Sequence, residues 1–175
     1  MLTDTMATSL TLDEVLAFGP CKRDGSTQWV TDLFAGREAM TVADLDKLPF
    51  EALSVMDRLW LLLRPEILGE RNCHLLLCEF AENALIRERE AGREPDPRSW
   101  AAIRVKRRWV DGLATSGDLW AASAASAASA GAAAAAAWAA MWAAGREERC
   151  RQYELICRVL RGEIALPLSK EQPDE

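Results

Sequence analysis

The stretch from Ala121 to Ala144 constrains the fold of this chain more than any other. It repeats Ala-Ala-Ser, passes Gly131, and continues as nearly pure alanine that is interrupted by two tryptophans and a methionine. Alanine has the highest intrinsic helix propensity because it loses no side-chain entropy when a helix forms. Since residues 98–166 contain no proline, we predict one helix, or two collinear helices, from about Asp118 to Arg161, roughly 65 Å long. Gly131 and Gly145 are the expected weak points, each costing about 1 kcal/mol relative to alanine.

The large side chains of this predicted helix fall on one line. Trp120 and Trp138 are 18 residues apart, which is five turns, and Trp142 follows one turn later. Ile156 lies another 18 residues beyond Trp138. Because a bare alanine helix buries little surface, this stripe has to pack on something. Two interpretations stay open: the tryptophans form an intramolecular core, or part of the stripe stays exposed and docks a partner. In the second case, Trp138 and Trp142 are the tryptophans that we expect to be exposed.

Charge and cysteine content narrow the class of protein. The 175 residues carry a net charge of −6, with −7 on residues 1–95 and +1 on residues 96–175, so an overall basic footprint for nucleic acid is absent. The chain has five cysteines, and residues 1–10 lack the charged and apolar regions of a signal peptide. We therefore expect free thiols in a reducing cytoplasm. The alanine tract is too weakly hydrophobic for a membrane span, so no membrane association is predicted.

Caps and helix breakers predict a mostly helical chain. Thr11 with Glu14 and Thr41 with Asp44 have the spacing of capping boxes that open short helices. Further helices are predicted over 27–35, 50–63, 70–91 and 97–110, with residues 1–10 frayed. No period-2 segment of any length occurs, so the predicted fold is all-α: a bundle of short N-terminal helices packed on one or two long C-terminal helices. We divide it into a subdomain over 1–66, a main bundle over 67–162 and a polar tail over 163–175.

The candidates for metal or thiol chemistry cluster around His74, the only histidine. Neighbouring helical residues point about 100° apart, so Cys73 does not pair readily with it, whereas Cys78, one turn later, could touch it. A zinc site would also need Cys150 and Cys157. Buried helix cysteines with a histidine at the edge are the preferred interpretation, so we predict no metal, no cofactor and no enzyme.

Charged clusters offer two more candidates. Glu79 and Glu82 lack the histidine spacing of a di-metal bundle, and we interpret them as a solvated face. The basic residues Arg104, Lys106, Arg107 and Arg108 encircle their helix, so nucleic-acid binding is disfavoured. We expect one or two of the four to pair with acidic residues of the N-terminal part.

Three segments in a fixed order carry a family resemblance. They are Leu75–Glu82, Pro97–Ile103 and Trp109–Thr115, followed by the alanine-tryptophan tract. This order is similar to a group of alanine-rich bacterial and prophage proteins, some of which are labelled putative toxin-immunity proteins. The resemblance covers roughly residues 45–160. The chain departs from the group at 116–118, where members usually have two acidic residues that open the helix.

The resemblance implies an accessory protein of a mobile genetic element and supplies no catalytic residues. We predict a non-enzymatic phage or prophage protein in the cytoplasm of a bacterial host. It would bind and inhibit a host protein, with an anti-CRISPR-like defence target as first candidate. The alternatives are an immunity protein for a cognate toxin and a Cys/His metal-binding module; a homodimer through the long helix is compatible with the first two. The predicted partner-binding residues are Trp120, Trp138, Trp142, Arg104 and Arg108.

Overall fold

The computed structural model describes residues 6–125 and 145–166, and these are mostly helical. The helical class predicted from the sequence is confirmed in that coarse form. In chain order the elements are β1 (Ser9–Thr11), α1 (Leu12–Ala17), α2 (Gln28–Phe34), β2 (Ala39–Thr41), α3 (Val42–Lys47), α4 (Val55–Leu62), α5 (Pro65–Leu68), α6 (Glu70–Glu90), α7 (Pro97–Val110), α8 (described over 116–125) and α9 (Arg146–Leu160).

A strand that runs directly into a helix occurs twice near the N-terminus, 30 residues apart. β1 leads into α1 and β2 into α3, and the two strands pair antiparallel with Leu10 opposite Met40. Thr11 and Thr41 close both capping boxes that the sequence predicts. The expectation of a chain without strands is wrong here, and so is the expectation of fraying at residues 9 and 10. Strands of three residues are too short to produce a period-2 pattern.

One predicted boundary shifts for a local reason. The helix expected over 50–63 begins only at Val55, because Ser54 forms a capping box with Asp57, and it ends at Leu62, close to the expected end. Pro65 occupies the first turn of α5, a position where the missing N–H of proline costs nothing. The predicted bounds of α6 and α7 are confirmed to within one residue, and Asp96 is the N-cap of α7.

The C-terminal helix α9 completes the hydrophobic core of the N-terminal elements. Its residues Ile156, Cys157 and Val159 are 0–3% exposed and belong to the same core cluster as side chains from β1, α2, β2 and α4. Side chains from both sides of the predicted boundary at residue 66 therefore share one core. Ile164 and Leu166 also pack against it. The first residues of the predicted polar tail thus contact the core, and residues 167–175 lie outside the described residues.

A buried arginine joins α9 to the N-terminal elements. Arg58 is 1% exposed, and its guanidinium donates to three backbone carbonyls and to the hydroxyl of Tyr153 (3.3 Å). The three carbonyls belong to Leu45, to Leu48 at 2.6 Å and to Leu53 at 3.0 Å. Peptide dipoles thus stabilise the positive charge of Arg58. Their carbonyls lie at the C-terminal end of α3 and in the turn before α4.

The Tyr153 hydroxyl extends this network to the end of α9. It donates to Asp46 at 2.6 Å, and the second carboxylate oxygen of Asp46 accepts from Arg161 at 2.9 Å. Burial, together with the bond to Asp46, holds the pKa of Tyr153 well above its usual range. The phenol therefore stays protonated and keeps donating at any ordinary pH.

The predicted long helix is interrupted. Gly145 has ψ −172°, which is extended backbone, and α9 starts at the next residue, so a single helix through 118–161 is wrong. The two ends of the predicted stripe also differ, because Ile156 is 0% exposed and Trp120 is 75% exposed. Gly131 and the middle of the stripe lie outside the described residues. Among the described helices, none has the length and apolar character needed to cross a membrane.

Candidate functional site

α7 is fastened to α6 by a buried ion triad. Arg107 donates to Glu79 at 2.6 Å and to Glu82 at 2.7 Å, and the two carboxylates are 0% and 6% exposed. Arg107 does pair with acidic residues, as expected for one or two of the four basic residues, but both partners lie on α6 and not in the N-terminal part. The expectation that Glu79 and Glu82 form a solvated face is wrong, because an arginine 25 or more residues away covers them.

We call the contact between α6 and α7 the α6–α7 seam. Its other end is built around Trp109. His74 of α6 meets the Trp109 ring edge-on, with ring centroids 5.3 Å apart, and the ammonium of Lys106 lies 4.1 Å from the centroid of the indole. Arg71 pairs with Asp111 at 2.8 Å just past the end of α7. Burial, and then the charge of Lys106, lower the pKa of His74. The imidazole is therefore a neutral packing group in this seam.

Acidification should lower the stability of the protein, because the contact between α6 and α7 contains its single histidine, His74. Because the folded pKa of His74 lies below its ordinary value of 6.5, the unfolded chain takes up the proton first as the pH falls. His74 therefore contributes stability that is fully present above pH 6.5 and is lost as the pH falls towards the lowered folded pKa. We expect the Tm to fall between pH 7.5 and 5.5, and His74→Gln to flatten that dependence. An equal fall in Tm for the variant would contradict this assignment.

Three of the five cysteines are buried residues of the protein interior. Cys73, Cys78 and Cys157 are buried, and all five cysteines are free thiols. Burial raises the pKa of Cys73 and of Cys157 to about 11, and it also raises the pKa of Cys78. The preferred interpretation of helix-core cysteines is confirmed for these three. Within residues 6–125 and 145–166 there is no group of three or more His, Cys, Asp or Glu side chains that could hold a metal ion.

α7 presents Arg104 and Arg108 to solvent, one turn apart. Arg104 has no carboxylate within ion-pair distance among the described residues. The guanidinium of Arg108 donates to the backbone carbonyl of Leu113 at 3.2 Å. Both predicted partner-binding arginines are thus available to another molecule, and Arg108 is held against the turn that follows α7.

That turn has a fixed backbone and an exposed leucine. Gly112 adopts φ +73°, and the N–H of Leu113 donates to the carbonyl of Arg108 at 2.7 Å, which is the bond pattern of a Schellman motif. A β-carbon at φ +73° would be strained, so glycine is required there. The side chain of Leu113 is 67% exposed. The turn therefore projects an apolar side chain from a rigid backbone.

The same turn ends α6 and α9, where the equivalent residue is charged. After Gly92 it is Arg93, which pairs with Glu88 at 2.5 Å. After Gly162 it is Glu163, which pairs with Arg158 at 3.7 Å. In both helices the charged residue finds an opposite charge one turn back. The α7 turn departs from this pattern, because its equivalent residue is an exposed leucine. Ending the helix does not by itself require an exposed apolar side chain at that position.

α8 begins immediately after this turn. Thr115 and Asp118 form a capping box, with oxygen-to-oxygen and nitrogen-to-oxygen distances of 2.7–3.1 Å. Hydrogen bonds from the backbone and side chain of Thr115 lower the pKa of Asp118. The indole N–H of Trp109 donates to Ser116 at 3.4 Å and ties the start of α8 to α7. Trp120, five residues past the cap, is 75% exposed.

We call the four exposed residues Arg104, Arg108, Leu113 and Trp120 the corner surface. The chain length and the helical rise place the Cα atoms of Leu113 and Trp120 within about 15 Å of each other. Residues 97–125 carry five basic and two acidic side chains, a net charge of +3, whereas the rest of the chain carries −9. Trp138 and Trp142, the other predicted partner-binding residues, lie outside the described residues.

Leu113 is the functional candidate that sequence reasoning missed. The sequence does carry a signal for the turn, because Asp-Gly-Leu at the end of a helix predicts a Schellman turn whose outer residue is apolar. It carries no signal for the exposure of that leucine. Such a leucine usually packs back on its own helix, so the sequence alone predicts burial. Its exposure depends on where α7 and α8 leave room, which is a property of the tertiary fold.

A cleft lies between α6 and α9, with a volume of about 240 Å³. Its charged groups are matched within the chain: Arg87 pairs with Glu148 at 2.8 Å, and Arg151 pairs with Glu147 at 2.5 Å. The cleft therefore presents little unsatisfied charge to a ligand, in contrast to the corner surface.

Comparison with protein-family models, with characterised proteins and with solved structures gives no match for this chain. The corner surface and the α6–α7 seam are therefore the observations from which a function can be inferred.

Proposed function

We propose that this protein is a non-enzymatic interaction protein that binds another protein through the corner surface. The observation that carries the proposal is the exposure of two large apolar side chains, Leu113 at 67% and Trp120 at 75%, on the segment that follows the helix of the exposed Arg104 and Arg108. Tryptophan and arginine are among the commonest hot-spot residues of protein interfaces. Covering Leu113 and Trp120 removes apolar surface from water, which is the dominant favourable contribution to most protein–protein association.

The rigidity of the corner supports the same proposal. The Schellman turn fixes the backbone of Leu113, and the capping box at Thr115 fixes the start of the helix that carries Trp120. The buried triad around Arg107 holds α7 in place beneath both. A surface that is already ordered loses less conformational entropy when it binds, so its contacts contribute more to affinity.

The kind of partner follows from the family resemblance. Similarity to alanine-rich prophage proteins supports a phage or prophage protein that inhibits a bacterial host protein, with a defence complex as first target. Because some proteins of that group are labelled putative toxin-immunity proteins, an immunity protein that neutralises a cognate toxin is the second candidate. The two differ in the identity of the bound protein: a component of the host cell or a toxin.

Affinity capture with the tagged full-length chain tests the proposal. We expect the wild-type chain to retain a specific protein from a bacterial lysate or from cells that co-express a toxin. The Leu113→Ser, Trp120→Ser double variant should lose at least 90% of it. The matched control is Met56→Ser with Leu77→Ser, because these side chains are 49% and 52% exposed but lie on α4 and α6. Capture that is equal for both double variants, or no protein specific to the wild type, would overturn the proposal.

A further inference from the structure

We infer that the partner of the corner surface presents an acidic protein surface around an apolar pocket. This inference rests on the proposed function, because it specifies which chemistry the corner surface recognises. The apolar pocket would receive Leu113 and Trp120, and the surrounding carboxylates would meet Arg104 and Arg108.

The charge distribution supports an acidic partner. Within residues 97–125, Arg98, Arg107 and Asp111 are paired with opposite charges outside that range. The charges that remain are those of Arg104, Lys106, Arg108 and Asp118, so this segment is locally basic on a chain whose net charge is −6. Arg104 has no ion-pair partner among the described residues, and Lys106 lies against the Trp109 ring, 4.1 Å from its centroid, and not against a carboxylate. Like charges facing each other across an interface cost several kcal/mol, whereas complementary potentials raise the association rate. A basic partner surface is therefore disfavoured at this corner.

A second copy of the chain fits the corner poorly. In a two-fold dimer the same patch occurs on both subunits, so the arginines of one copy would face those of the other. If the corner instead met an acidic face elsewhere on another copy, the contact would be head-to-tail and would form either a ring or an open chain. Neither arrangement gives a closed pair of subunits in which the leucine and tryptophan are covered and the arginines are neutralised.

Nucleic acid also fits less well than an acidic protein. A chain of net charge −6 repels a polyanion, and the corner offers two arginines, not an extended basic stripe. A stacked base would account for Trp120 but not for Leu113, which is 67% exposed and has no aromatic face to offer. A pocket in a protein accounts for both side chains.

Four fluorescent probes separate these chemistries in a titration of the full-length protein. The first is a 16-residue peptide in which pairs of glutamates flank single leucine or phenylalanine residues. The second replaces its apolar residues with serine, the third replaces its glutamates with lysine, and the fourth is a 16-nucleotide single-stranded DNA. We expect the acidic apolar peptide to bind at least tenfold more tightly than each of the other three, and to weaken as NaCl is raised.

Two charge-reversal variants locate the binding site. Arg104→Glu should weaken the acidic apolar peptide at least tenfold, whereas Lys22→Glu, at an exposed lysine outside the corner, should change its affinity less than twofold. Preferential binding of the DNA, absence of binding by all three peptides, or equal effects of the two reversals would overturn the inference. If capture of a protein still depends on Leu113 and Trp120, such a result leaves the proposed function standing. Loss of corner-dependent capture removes the proposed function, whatever the peptides do.

Discussion

Replacing Arg58 with methionine will lower the free energy of unfolding by about 3–5 kcal/mol, because each buried carbonyl that loses its donor costs about 1–3 kcal/mol. The guanidinium is 1% exposed and donates to the carbonyls of Leu45, Leu48 and Leu53. Methionine fills part of the space but donates nothing, so three buried acceptors lose their partner. Urea denaturation followed by circular dichroism measures the loss as a lower midpoint.

Arg23→Met is the matched control for this prediction. Arg23 pairs with Asp57 at 2.6 Å and stacks on Trp29, but its side chain is 37% exposed, so water can replace its contacts. We expect that variant to lose at most about 1 kcal/mol. If Arg58→Met cost no more than the control, the core contacts that we assign to Arg58 would be wrong, and with them the way α9 joins the N-terminal elements.

Replacing Arg107 with methionine will also cost about 3–5 kcal/mol, because two buried carboxylates lose the cation between them. Glu79 and Glu82 are 0% and 6% exposed, and Arg107 bonds both within 2.7 Å. Since this triad fastens α7 to α6, the variant should also bind the partner of the corner surface more weakly. Urea denaturation measures the first effect, and titration with the purified partner measures the second.

A variant in which the contact between α6 and α7 is made apolar provides the control for Arg107→Met. When all three charges are removed together, in a triple variant with Arg107→Met, Glu79→Leu and Glu82→Leu, we expect recovery of at least half of the lost stability. Buried ion pairs can often be replaced by well-packed apolar groups at little cost. A triple variant less stable than the single variant would indicate that the carboxylates contribute through contacts other than the one with Arg107.

Two helix starts were readable from the sequence because a few neighbouring residues determine them. The capping boxes at Thr11 and Thr41 each depend on a side chain three residues away, and both are present. The boxes of the same kind at Ser54 and Thr115 were not recognised in the sequence. The break at Gly145 was one of two marked weak points, but its occurrence depended on the tertiary fold. Propensity alone gives a cost of about 1 kcal/mol for such a glycine and cannot decide whether the helix breaks.

The contacts that hold the fold together join residues far apart in the chain. Tyr153 bonds Asp46 across 107 positions, and Arg107 reaches Glu79 across 28. No periodicity within one helix reports such a pairing, so the buried glutamates read as a solvated face. The short ribbon of β1 and β2 was missed for the same reason, because its three-residue strands are specified by their pairing with each other. Arg104, Arg108 and Trp120 were among the partner-binding residues predicted from the sequence, whereas Leu113 was not, and the role of all four in binding stays a prediction.

Hydroxyl-radical footprinting of the free chain and of its complex with the captured partner tests the central claim most directly. In the free protein, Leu113 and Trp120 should be oxidised at rates typical of exposed side chains, since they are 67% and 75% exposed. In the complex both rates should fall at least fivefold, while the rates at Met56 and Leu77 stay unchanged. If Trp120 is already protected in the free chain, or if neither rate changes on binding, the corner surface is not where this protein meets its partner.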